Sequence, residues 1–209
     1  MNILDIHTHF QPPKNYDYEV IQNCYPSNFD PKEGAFYSLG IHPWYVESET
    51  FDFDKLYSQS KHKQVLAIGE AGLDKYSKVS FDKQEERFIS QILISEELEK
   101  PLIIHGVKSE QELLKIKKEI NPKQPWILHG FRGGKQQAER YVKHGFFISI
   151  GLKYNNTSFE AIPLQRLFLE TDDVETNIKD LYREIAPYYS IDELFLINAI
   201  RNNIHLVFS

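Results

Sequence analysis

The chain has 209 residues, 41% hydrophobic and 26% charged, with a net charge of −6. This is the composition of an ordinary soluble globular protein, and residues 1–209 are expected to form a single domain with a sizeable core. General attraction to nucleic acid is excluded by the acidic balance, and a transmembrane helix by the lack of any apolar run of about 18 residues.

Cys24 is the sole cysteine, so no intrachain disulfide can form. The first residues lack the basic start and apolar core of a signal peptide, and both features point to the cytoplasm.

In chain order, short apolar runs predict eight strands: Asn2–Ile6, Tyr18–Gln22, Ala35–Ile41, Val65–Gly69, Leu102–His105, Trp126–His129, Phe146–Ile150 and Leu167–Glu170. Most are apolar on both faces, as strands buried in a parallel sheet are. Helical patterns follow the later ones. Ser80–Lys100 aligns Phe81, Phe88 and Ile92. Ser109–Ile120 opens with a capping box, Ser109 and Glu112. Gly134–His144 stops at Gly145, and a second box, Ser190 and Glu193, opens the last helix. Strands alternating with helices predict a (β/α)8 TIM-type barrel. Only about ten residues separate His9 from Glu19, too few for a crossover helix. The first one or two outer helices should therefore be reduced or missing.

The opening "NILDIHTHF" puts Asp5, His7 and His9 on one face of the first strand. Chance alone yields roughly 0.3 His-x-His triplets in such a chain, so the pair by itself fits a metal or a wet surface. The other strand ends decide between them. His42, Glu70, His105, His129 and Asp172 also fall there, where barrels of this type gather their reactive groups. That regularity points to a metal site.

Further stretches, "GIHPW", "AIGEAGLD", "PLIIHGV", "WILHGFRGG" and "LFLETD", complete an ordered set. With them the chain resembles the TatD family of metal-dependent hydrolases, within the amidohydrolase-like barrels. The resemblance runs from Asn2 to about Asp172. It implies a metal held by His7, His9 and Asp172, with Glu70 bridging to a second held by His105 and His129. Imidazole and carboxylate suit Zn, Mn or, with waters, Mg. Asp172 and Glu70 would be the catalytic carboxylates, Asp172 holding or deprotonating the attacking water. Asp5 and Glu170, one alternate position deeper, should support these ligands. Asp74 should tie down its loop, and His42 and Arg132 are candidate substrate contacts. His62, His144 and His205 read as surface or packing residues.

The substrate side departs from the family pattern. Val107 stands where an arginine is usual, "HGFRGG" introduces Arg132, and Trp44 replaces a common second histidine of "GIHPW". The implied function is divalent-metal-dependent phosphodiester hydrolysis, of the nuclease type, acting on a nucleic-acid fragment. Ester or amide hydrolysis (an aminoacyl-tRNA deacylase, for example), a PHP-type phosphatase and a non-catalytic metal-binding protein are the alternatives. The shortened first third leaves the outward face near Val20 and Ile21 to be covered, by the C-terminal helices in a monomer or by a second copy in a homodimer.

Overall fold

A computed structural model of the protein describes residues 2–11, 16–47 and 52–208. Among them lie eight strands: β1 (Ile3–Thr8), β2 (Glu19–Cys24), β3 (Phe36–Leu39), β4 (Val65–Asp74), β5 (Leu102–Val107), β6 (Trp126–Leu128), β7 (Phe147–Ile150) and β8 (Leu167–Leu169). The helices are α1 (Phe53–Ser60), α2 (Phe81–Glu97), α3 (Glu110–Ile120), α4 (Lys135–Lys143), α5 (Ile178–Ile185) and α6 (Glu193–Phe208). Strand order follows chain order, which is the topology of a (β/α)8 TIM-type fold. No helix occurs between β1 and β2 or between β2 and β3 among the described residues, as the short spacings require. The chain packs as two compact units, Met1–Gln22 with Ile127–Ser209, and Asn23–Trp126.

In the first unit, β1 pairs in parallel with β2, and β7 with both β6 and β8. A bridge from Thr8 to Asp172 sets the end of β8 beside β1. The C-terminal helices pack on β1 and β8. Tyr182, on α5 and fully buried, donates from its hydroxyl to the Leu4 carbonyl at 2.8 Å. The Ile178 amide at the start of α5 donates to the Tyr18 hydroxyl at 3.3 Å. From α6, buried Asn203 donates to the Leu164 and Leu167 carbonyls at 2.7 and 2.9 Å, satisfying the backbone where β8 begins.

In the second unit, β4 pairs in parallel with β3 and β5, and α2 packs Phe88 and Ile92, both fully buried, beneath them. Two buried glutamines on one face of α2 reach backbone flanking the strand ends. Gln84 accepts from the Asp74 amide (2.8 Å) and donates to the Asp74 carbonyl (3.1 Å). Gln91 does the same for Ile41, at 2.7 and 3.0 Å. Seven residues apart, they share a helix face because two turns take about 7.2 residues.

Both predicted capping boxes are corrected. Ser109 is the N-cap residue of α3 but its hydroxyl donates to the Leu73 carbonyl instead (3.1 Å), and Glu112 pairs with Lys75. The cap of α6 is Asp192, which accepts from the Phe195 amide at 2.7 Å, while Ser190 ends the preceding turn in the left-handed region. Besides the predicted helices, the chain forms α1 and α5. Their N-caps, Asp52 and Asn177, accept from the amides three and two residues on, which is the usual signal. Gly145 does follow α4 with φ +76°, in the helix-stop role.

Candidate metal centre

Alternation along β1 and the end of β8 builds the first group. His7 Nε2 and His9 Nε2 lie 3.7 and 3.6 Å from the same Asp172 oxygen. These distances are longer than a hydrogen bond. Two ligands held by one ion at 2.0–2.2 Å with a tetrahedral angle stand about 3.4 Å apart, so the donor set and spacing fit a divalent cation. His7 is fully buried while His9 and Asp172 keep side-chain exposures of 35% and 22%, so such a centre faces solvent on one side. His129, Glu170 and Asp172 also bring ligand atoms within 4.8 Å of one another.

Asp172 is held in an unusual backbone conformation, φ +54°. Its amide donates to the His7 carbonyl and its carbonyl accepts from the His9 amide, both at 3.0 Å. Left-handed backbone costs an ordinary L-residue about 1–2 kcal/mol, less for Asp or Asn. Here two bonds to β1 impose it and aim the carboxylate at the histidines.

Asp5 and Glu170 support this group in different ways. Asp5 accepts from the His7 and Thr171 amides (3.2 Å each) and from the Thr171 hydroxyl (2.7 Å). It therefore positions backbone rather than an imidazole. Burial pushes its carboxyl up to about 7, against the lowering effect of those bonds. Glu170, fully buried, accepts from the Gly130 amide at 2.6 Å and lies 3.3 Å from His129 Nδ1. Burial raises its pKa, but the neighbouring His129 and His7 outweigh that and hold it below the usual range. It stays ionised and can orient the His129 ring.

The second group stands at the ends of the second unit's strands. Glu70 Oε1 lies 2.7 Å from His105 Nδ1 and 3.4 Å from His42 Nε2, and the two imidazoles approach to 3.2 Å. His42, expected as a substrate contact, thus sits within a set of three ligand-type groups. Asn23 fixes the Glu70 amide (3.0 Å), and Gln91 fixes the residue before His42.

Asp74 does more than tie its loop. Its carboxylate accepts from the Tyr76 amide (2.8 Å) and the Trp44 indole (2.6 Å) and lies 3.2 Å from His105 Nε2. Burial raises its pKa, yet these bonds prevail and keep it low. Carboxylate on the far nitrogen of a ligand-type histidine is the usual orienting arrangement of metal sites. Gln84, Gln91 and Asn23 escaped the sequence reading, since buried amides carry no spacing signal.

Arg132 is exposed and lines, with Lys153, the pocket that reaches Asp172 and Glu170. Asp173 lines the same pocket.

Residues 29–208 match the family described as TatD related DNase. An uncharacterized metal-dependent hydrolase of Buchnera aphidicola (subspecies Baizongia pistaciae) is 32% identical over 191 residues, covering 86% of this chain and 72% of its own. A second, from Buchnera aphidicola subspecies Acyrthosiphon pisum, is 32% identical over 169 residues, 73% of this chain and 61% of its own. In structure, the chain is similar to YjjV, a TatD homolog of Escherichia coli K12, with TM-score 0.86 and 22% identity over 99% of this chain and 98% of that one.

Proposed function

The chain belongs to the TatD family of metal-dependent hydrolases, and from that premise we propose that it hydrolyses phosphodiester bonds in nucleic-acid fragments. The observation that carries the reading is the Asp172 carboxylate, set by β1 within metal-ligand spacing of two histidines and sharing a pocket with Arg132 and Lys153. In this proposal His7, His9 and Asp172 are ligands in the first unit, together with His129. Glu70 and His105 are ligands in the second, with His42 beside them. Divalent ions held by these residues would supply Lewis-acid chemistry that lowers the pKa of water and offsets phosphoryl charge.

The protein's own groups do the rest. Asp172 would take the proton of the attacking water. Arg132 and Lys153 hold non-bridging phosphate oxygens in charge-assisted bonds. Local cations are needed because the net charge of −6 repels phosphate at long range. Glu170 and Asp74 keep the imidazoles of His129 and His105 oriented.

The test is a substrate screen on protein reconstituted separately with Zn, Mn and Mg. Bis(p-nitrophenyl) phosphate and single-stranded DNA should be cleaved in a metal-dependent way that EDTA abolishes. Turnover of carboxylic esters or aminoacyl esters, with phosphodiesters untouched, would transfer the site to the other hydrolase class.

A further inference from the structure

Beside the second group lies a set of exposed aromatic rings. Trp44 is 52% exposed, Tyr45 49% and Tyr76 72%. Exposed large rings scattered singly need no explanation. Trp44 and Tyr45 are not scattered. Trp44 stands edge-on to His42, with ring centroids 5.2 Å apart at 88°, and Tyr45 lies 5.9 Å from the same imidazole. Tyr45 is in turn braced edge-on by Tyr25 at 5.8 Å.

Trp44 is also anchored. Its indole N–H donates to buried Asp74 at 2.6 Å, and its amide donates to His42 Nδ1 at 3.2 Å. The same carboxylate holds the Tyr76 backbone at 2.8 Å. A ring pinned at its polar edge, with half its surface open, has already lost the freedom that a ligand would otherwise have to take from it. Exposed Lys78 and Lys108 follow the same two strands, β4 and β5, where a polyanion's backbone would need countercharge.

We propose that Trp44 is a stacking platform for a nucleobase of single-stranded nucleic acid, placing the neighbouring phosphate at the His42, Glu70 and His105 group. Every base offers a π-face, so the contact selects unpaired strands rather than sequence. Bases inside a duplex have both faces covered and cannot use it. The inference rests on the phosphodiester reading above and assigns that reading its strand preference.

The experiment measures binding without turnover. A fluorescein-labelled, phosphorothioate-linked single-stranded oligothymidylate, which resists cleavage, is titrated by anisotropy against Mg-loaded protein, and its unlabelled form by tryptophan emission. Trp126 is fully buried, so any quenching of native protein reports Trp44, and Trp44→Phe provides the Trp126-only control. Trp44→Ala should weaken oligonucleotide binding roughly 5- to 150-fold, the equivalent of ~1–3 kcal/mol for one stacked base. Trp44→Phe should restore most of it, because a phenyl face stacks although it lacks the N–H. If Trp44 served only to hold Asp74, Trp44→Phe would fail as Trp44→Ala does, and the proposal would fall. Unchanged emission of wild-type protein, or equal competition by duplex, would also overturn it. Hydrolysis of bis(p-nitrophenyl) phosphate by wild-type enzyme is scored separately. Its absence refutes the phosphodiesterase reading while leaving intact, quenched binding as evidence for the platform.

Discussion

Gly72 is where a single methyl group should do most harm to the second group. It has φ +155° and pairs with His105 across β4 and β5. A Cβ added there would meet the His105 carbonyl oxygen at 2.0 Å and its carbon at 2.9 Å. Real Cβ contacts stay beyond about 3.0 Å, so one strand must move by about 1 Å, with both fixed by ladder bonds. Backbone strain of about 1–2 kcal/mol and overpacking of about 1–3 kcal/mol add to a stability loss of ~2–5 kcal/mol. For a chain of this size each kcal/mol lowers Tm by about 2–4 °C. Ligand sites tolerate only a few tenths of an ångström, so metal affinity at this group should fall at least 10- to 100-fold. Gly145→Ala is the control, having φ +76° but nothing within 4 Å of the added carbon. It should cost only the strain term and leave metal binding alone. Urea unfolding and calorimetric titration with Mn read both effects. Gly72→Ala matching Gly145→Ala in stability and metal affinity would refute the steric argument.

Asp172→Asn should lower turnover 10²–10⁴-fold while retaining much of the metal, because Asn tolerates φ +54° but cannot take a proton; a near wild-type rate, with metal content checked by elemental analysis, would remove its role as base. Arg132→Ala should raise KM for a phosphodiester several-fold with little change in kcat, and an unchanged KM would show an arginine that faces only water. Gln91→Leu leaves the Ile41 amide and carbonyl without their partner in a buried setting, so chemical denaturation should show a loss of about 2–4 kcal/mol, accompanied by weakened metal binding through His42. Burial pushes the Cys24 thiol from 9.0 up to about 11; thiol reagents should react slowly at pH 8 until the chain is unfolded. Because the unfolded thiol ionises first, raising pH through that window should favour unfolding, and a fast-reacting native thiol would contradict the burial.

The eight strands were legible because their signal is local. Runs such as Leu102–Ile104 and Leu167–Leu169 are apolar on both faces, and that pattern survives any tertiary context. The lack of early helices among the described residues was legible from spacing alone, since the stretch from His9 to Glu19 is too short for a crossover helix. The candidate ligands were legible for a related reason. Strand alternation puts His7 and His9 on one face, and polar residues at buried strand ends are costly unless used.

Tertiary structure decided what each of those residues touches. Ser109 was free to cap α3, but the Leu73 carbonyl lay within reach of its hydroxyl and took the bond. Nothing in "GLD" says that Asp74 will gather Trp44, Tyr76 and His105 around one carboxylate. Nothing in α2 marks Gln84 and Gln91 as the clamps on Asp74 and Ile41. Those partners come from segments up to 50 residues away, and a hydrogen bond between distant segments leaves no periodicity to read. The chain's local pattern determined its strands and candidate ligands; only packing decided their partners, because a buried donor bonds to whichever acceptor the fold brings within about 3 Å.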